Sequence, residues 1–211
     1  DVSRFARLDR ERCRASLLKS LGAHPATPIL LFVSMNFEVK GLDYVMQGLS
    51  ALKRRPVRPV PLLLIVGRGD EARYRRLAEK LGIATDVRFA GVTGRDQLDA
   101  IYTGSDLFAM LSRFDTFGMA ALDAMAASLP VVLSGNVGAK DLVRDGVNGF
   151  IVGDPADGKA VAERFARLLH ADFRERMGRE AFRTACGQSW DEVARRQMEI
   201  YEELLGTSSG A

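Results

Sequence analysis

Cysteine, histidine and tryptophan are scarce in this chain: two, two and one among 211 residues. Cys13 and Cys186 stand far apart and form neither a metal-ligand spacing nor a redox motif. They read as two reduced thiols of a cytosolic protein, with no disulfide framework between them. His24 falls in a loop and His170 at a helix end, and neither is assigned a role. No apolar run approaches the roughly 20 residues needed to span a bilayer. The net charge of +3 is mild and does not of itself imply nucleic acid. The first residue is Asp1, no signal-peptide pattern follows it, and the chain is expected to be a piece of a longer protein.

What is present is the balance of a globular domain, 47% hydrophobic and 27% charged, in a length that suits one domain. The first twenty residues hold Arg4, Arg7, Arg10, Arg12 and Arg14. With Leu8, Leu17 and Leu18 on the other side, they read as a solvated helix face; a basic patch for an anionic membrane is the alternative. A breaker cluster at 23–28 then precedes the continuous apolar run 29–33, as expected of a central parallel strand. Leu42, Val45, Met46, Leu49 and Leu52 recur at helical spacing. A Pro-rich, basic connection at 54–61 leads to a second apolar run at 62–66. Further strands are expected at 87–90, 107–111, 131–134 and 150–152, with helices at 71–81, 95–103 and 119–127 and a short one at 139–144. Three helices follow, 158–170, 172–185 and 190–205, the last opened by a Ser189 and Glu192 capping pattern. Trp190 reads as a core or lobe-contact residue, and 206–211 as a flexible tail.

Six short strands alternating with helices predict an α/β fold: a Rossmann-like, doubly wound six-stranded parallel sheet with extra C-terminal helices. In the order 3-2-1-4-5-6, strands one and four are neighbours and their helices lie on opposite faces, so a crevice opens at their C-terminal ends. The loop after strand one brings Lys40 and Gly41 there. The loop after strand four brings Asp115, Thr116, Phe117 and Gly118, followed by the helix beginning near Met119. An ammonium, glycine backbone and a helix N-terminus in one place suit a diphosphate. Gly67-Arg68-Gly69 resembles part of a dinucleotide fingerprint. It does not follow the first strand, which argues against NAD.

Residues 114–133 carry a longer pattern. Asp115, Phe117-Gly118, Asp123-Ala124-Met125-Ala126 and Pro130-Val131 fall in register with a signature built on Glu, Phe-Gly, Glu-Ala-Met-Ala, Gly and Pro-Val. The stretch resembles that of the group 1 retaining glycosyltransferases, enzymes of the GT-B fold. Both signature glutamates are aspartates here, each shorter by one methylene, and Ser128 stands at the usual Gly position.

The resemblance covers about residues 2–205. It implies the C-terminal, nucleotide-sugar-binding lobe of a two-lobed enzyme, with 1–205 as the domain and the N-terminal acceptor domain absent. Val2-Ser3-Arg4-Phe5 is similar to the segment leaving the linker between lobes. The implied reaction moves a sugar from a nucleotide-diphosphate sugar to an acceptor hydroxyl, with retention and without a metal or other cofactor. Lys40 is expected to hold the diphosphate and Asp115 the donor-sugar hydroxyls, as the catalytic pair. Asp123 is expected to bind ribose hydroxyls. Thr116, Phe117, Gly118, Met119 and Gly41 are expected to line the donor, with the base read near Val92 and Thr93. Many members place an arginine where this chain has Met35, so that cation is either missing or supplied by Arg68 or Arg113. No Asp-X-Asp metal motif sits at a strand end. The implied partners are the sugar nucleotide, the missing acceptor domain and a glycan or lipid-linked acceptor, with no nucleic acid. The implied setting is the cytoplasm, at the inner face of the membrane where the other lobe meets lipid, in polysaccharide or lipopolysaccharide assembly. A sugar-nucleotide epimerase and a non-catalytic sugar-nucleotide-binding module are the alternatives.

Overall fold

The computed structural model describes residues 2–56 and 59–207. The elements run α1 (Ser3–Ala6), α2 (Arg10–Ser20), β1 (Ile29–Ser34), α3 (Leu42–Lys53), β2 (Leu62–Gly67), α4 (Glu71–Lys80), β3 (Val87–Gly91) and α5 (Arg95–Gly104). They continue with β4 (Leu107–Met110), α6 (Met119–Ala126), β5 (Val131–Ser134), β6 (Gly149–Val152), α7 (Gly158–Leu168), α8 (Ala171–Cys186) and α9 (Trp190–Thr207). Single 3-10 turns occupy Ala84–Asp86 and Gly138–Leu142.

The strands form one parallel sheet in the order β3-β2-β1-β4-β5-β6. The order follows from the pattern of the strands. The inner strands β1, β2, β4 and β5 are apolar along nearly all their length and buried on both faces, whereas edge strand β3 carries an exposed Arg88; alternate residues turn to opposite faces. Ile29, Leu31, Phe108, Met110, Val131 and Leu133 join one buried cluster, with α2, α5 and α6 packed over it. Leu30, Phe32, Leu107, Ala109 and Val132 join the other, under α3, α4 and α7. Truncating one such side chain, Leu31→Ala for instance, removes transfer energy and leaves a void, at a cost of about 2–5 kcal/mol. β1 pairs with β4 through Leu30↔Leu107 and Leu31↔Phe108. The helix after β1 and the helix after β4 lie on opposite faces, so the sheet splits open at the C-terminal ends of these two strands.

Four sequence expectations are corrected. The first twenty residues form two helices rather than one, broken by a turn whose Asp9 accepts the Arg12 N–H at 3.0 Å. Arg4 and Arg14 do not lie on a solvated face: Arg4 is ion-paired to Asp99 of α5 and Arg14 to Asp106 beside β4, while Arg10 stays partly exposed and still reaches Asp106 at 3.7 Å. Trp190 is 72% exposed and not part of the core. Gly206 and Thr207, expected in a flexible tail, continue α9; residues 208–211 lie outside those described. The Ser189 cap holds, its Oγ accepting the Glu192 N–H at 3.1 Å. No described helix is long and apolar enough to cross a membrane.

Candidate functional site: a cleft between the first and fourth strands

Two glycines allow the two loops to meet. Gly41 caps α3 with φ +70°, and a Cβ there would stand 1.9 Å from the Leu111 carbonyl oxygen just beyond β4. Gly118 caps α6 with φ +94°, and a Cβ there would come within 2.7 Å of Val137 and 2.9 Å of Met110. Both conformations are left-handed and resist any side chain. The second loop is also stitched to the segment after β5: the Asp115 N–H donates to the Asn136 carbonyl at 3.0 Å, and the Gly138 N–H to the Asp115 carbonyl at 3.1 Å.

The result is a cavity of about 430 Å³ at the C-terminal ends of β1, β2 and β4. Eight of the ten residues expected from the sequence line it. Lys40 and Asp115 form its polar wall, with Lys40 Nζ 2.6 Å from Asp115 Oδ2. Thr116, Phe117, Gly118 and Met119 form a second wall leading into α6, and Val92 and Thr93 close the far side. Gly41 sits just behind Lys40, outside the lining. The first turn of α6 carries no acidic residue and no side-chain cap, so its leading amides are left without an internal acceptor on the cavity side. Thr93 lines the cavity, and its Oγ1 is turned away from solvent, buried without a hydrogen-bond partner.

Asp123 is not brought to this lining. It stands further along α6, where Arg4 Nη1 donates to its Oδ1 at 3.1 Å. The same guanidinium is bound to Asp99, through Nε at 3.1 Å and through Nη2. Burial raises the Asp123 carboxyl above its ordinary range, while the Arg4 charge pulls the other way. Burial also pushes the neighbouring Tyr102 hydroxyl well up. Neither arginine weighed as a substitute cation reaches the cavity. Arg113 donates to both Asp43 carboxylate oxygens, at 3.0 and 2.6 Å, and stacks on Tyr44, so its charge is spent on α3. The hydrogen bonds it donates to Asp43 raise the Arg113 guanidinium above its ordinary value. Arg68 is exposed and does not contribute to the lining. Met35 lines the cleft and brings no charge. Among the described residues, no group of three or more His, Cys, Asp or Glu side chains is placed to hold a metal.

Sequence reasoning missed what holds Asp123. Arg4 is 119 positions away, and no periodicity links them.

A six-stranded parallel sheet in this order, with its cleft at the β1–β4 switch point, defines a Rossmann-like, doubly wound domain. Residues 14–184 match the family of glycosyl transferases group 1, and the chain belongs to that family. It is 32% identical to a D-inositol 3-phosphate glycosyltransferase of Salinispora arenicola, over 97% of this chain and 48% of that protein. It is 31% identical to the enzyme of the same name from Nocardia farcinica, over 100% of this chain and 47% of that one. The chain thus spans about half the length of the curated relatives it matches. A glycosyltransferase from Rickettsia africae has the same fold at TM-score 0.81 and 22% identity, over 97% of this chain and 55% of that one. HepE from Anabaena, solved with UDP and glucose, matches at TM-score 0.78 and 23% identity, over 98% of this chain and 55% of that one.

Proposed function

We propose that this chain is the donor-binding lobe of a retaining, metal-independent glycosyltransferase that takes its sugar from a nucleotide diphosphate. The observation that carries the proposal is the Lys40–Asp115 pair, 2.6 Å apart on the wall of the cleft beside the uncapped start of α6. A diphosphate entering the cleft competes with Asp115 for the Lys40 ammonium and receives the free amides of Met119 and Ala120. That is the electrostatic work a departing nucleoside diphosphate requires. Asp115, released, accepts hydrogen bonds from hydroxyls of the donor sugar. Val92 and Thr93, which line the far side of the cleft, meet the base. Charge neutralisation rests on Lys40 and the helix N-terminus, so no metal is required. The matched relatives are about twice as long, and the acceptor is assigned to their other half. This chain alone binds donor and turns over little.

The test is calorimetry of UDP, GDP and ADP and their hexose conjugates, with EDTA present throughout. Saturable binding of one nucleotide family, weakened in Lys40→Ala, is expected. Binding of none of them, or binding that appears only on adding magnesium, overturns the reading.

One observation favours a second reading. Asp123 is already engaged by Arg4, and a cleft without a free ribose acid fits a sugar-nucleotide-binding module that has lost transfer. Binding without transfer by the intact two-lobed protein distinguishes the two.

A further inference from the structure

We propose that the opposite end of the sheet carries a second binding site, for a phosphate-class anion, built by Arg10, Arg14, Arg174, Arg179 and the Ser128 hydroxyl. A cavity of about 360 Å³ lies there between α2 and α8, at the N-terminal ends of β1, β4 and β5. Its floor is Asp106, 3% exposed. The Asp106 carboxylate accepts the Ile29 N–H at 2.8 Å and so ties the start of β1 to the start of β4. Arg14 is hydrogen-bonded to the same carboxylate. Arg174 Nη2 lies 3.5 Å and Arg10 Nη2 3.7 Å from its other oxygen. Four arginines face this cavity, against the two carboxylates Asp106 and Glu175. The site therefore holds more positive charge than its own acids neutralise.

The guanidiniums are also held in place. Arg10 donates to the Thr103 and Ser105 carbonyls, Arg14 to the Thr27 carbonyl and Arg174 to the Leu168 carbonyl. These contacts orient the forks without cancelling their charge, so an incoming anion does not have to order them. Burial pushes Arg10 below its ordinary value; the Asp106 charge opposes this, and the charges of Arg14 and Arg174 add to the lowering.

Ser128 is the other unusual feature of this wall. Its φ is +62°, a conformation glycine takes freely and serine resists. Its carbonyl is pinned against α8 at Gly178, where a Cβ would stand 2.2 Å away. Ser128 lines this cavity together with the four arginines, so its hydroxyl is available to the site. Planar guanidinium forks with a hydroxyl donor suit a tetrahedral oxyanion, a phosphomonoester or a diphosphate. The site shares no residue with the cleft and lies about 20 Å from it along β1, a strand that rises ~3.3 Å per residue. The shared chemistry fits both a soluble phosphate compound and a phospholipid headgroup.

The test uses inorganic pyrophosphate and the chain carrying Lys40→Gln, so that the cleft lacks its cation. Pyrophosphate is expected to bind and to raise the melting temperature. Adding Arg179→Gln, on an exposed arginine, is expected to weaken binding about tenfold, one charge-assisted contact. Adding Ser128→Gly is expected to weaken it severalfold while raising the melting temperature of the anion-free protein, because the backbone strain is relieved. That opposite pair of signs separates loss of a ligand contact from loss of fold. In parallel, co-sedimentation with phosphatidic acid vesicles is compared with phosphatidylcholine vesicles. Capture by phosphatidic acid that Arg179→Gln abolishes assigns a lipid headgroup; pyrophosphate binding with no vesicle capture assigns a soluble anion. Pyrophosphate affinity unchanged by both added substitutions, or lost with Lys40→Gln alone, overturns the site.

Discussion

The Arg4 guanidinium spans two aspartates of different helices, Asp99 on α5 and Asp123 on α6. It does so at the start of the chain, where Phe5 docks edge-on against Tyr102 at 6.1 Å and fixes α1 on the sheet layer. Asp123 therefore has a structural partner in the absence of any ligand. That partner bears on how its proposed role with ribose is tested.

Asp123→Ala is expected to weaken binding of a ribonucleoside diphosphate and to leave the 2′,3′-dideoxy form unaffected. The coupling between carboxylate and hydroxyls, read from the protein–ligand cycle by calorimetry, should be about 1 kcal/mol or more. Zero coupling means that Asp123 serves only Arg4 and that the ribose is read elsewhere. Arg4→Gln serves as the second arm. If Arg4 competes with ribose for Asp123, the substitution tightens ribonucleotide binding and leaves the dideoxy form alone.

Gly41→Ala tests whether the two loops must approach as closely as they do. The added methyl would sit 1.9 Å from a backbone oxygen at Leu111, and φ of +70° disfavours it independently. Left-handed strain and overpacking each cost on the order of 1–3 kcal/mol. The expected outcome is a clear fall in the denaturation midpoint together with weakened nucleotide binding. An unchanged midpoint would mean that the loop after β1 is free to move away from β4.

Strand order and both cleft loops were legible in the sequence, for physical reasons. A strand covered on both faces must be apolar throughout, and residues 29–33, 62–66 and 107–111 are. A sheet built from such strands, with a helix after each, opens at one switch point, and Lys40 and Asp115 flank it. Ion pairs leave no comparable trace. Arg4 with Asp123, and Arg10, Arg14 and Arg174 with Asp106, join positions with no shared period, and a run of arginines looks the same whether solvated or paired. The aspartate directly before the fourth apolar run was the available hint, since a charge at a strand mouth in a covered sheet calls for a partner. Trp190 shows the converse limit. Residue type suggested either the core or a lobe contact, and only the core reading is excluded, since α9 holds Trp190 exposed along with Met198, Ile200 and Tyr201.

Tyr74 yields a pH prediction with a definite sign. Its ring is buried, its hydroxyl has no hydrogen-bond partner, and burial pushes its pKa from 10.0 up to about 12. A raised value in the folded state means that the folded protein holds the proton longer than the unfolded chain. The corresponding stability is complete below pH 10 and is lost as pH rises through about 12. The loss is on the order of 3 kcal/mol, about two pKa units at ~1.4 kcal/mol each. Tyr74→Phe should keep or raise the melting temperature at neutral pH, because it removes an unsatisfied buried hydroxyl. It should also flatten the decline between pH 10 and 12, measured by urea denaturation across that range. A decline as steep in Tyr74→Phe as in the parent would assign the alkaline loss to another group.

The Lys40–Asp115 pair makes the proposed donor mechanism testable with two substitutions of opposite expectation. Lys40→Ala removes the ammonium and should weaken nucleoside diphosphate binding by roughly 1.5–3 kcal/mol, the worth of a charge-assisted hydrogen bond. That is about ten- to a hundredfold in Kd. Asp115→Asn removes the carboxylate that occupies the ammonium at 2.6 Å. Nucleoside diphosphate without sugar should then bind more tightly, because the anion no longer displaces an internal partner. The sugar conjugate should lose the advantage it holds over the bare diphosphate, because the amide is a poorer acceptor for the sugar hydroxyls. Calorimetry of both ligands against the parent and the two variants, with EDTA present, reads all four changes. If Asp115→Asn weakens both ligands equally, the carboxylate is holding Lys40 in position rather than contacting the sugar. The donor-sugar role then falls, while the role of the lysine stands.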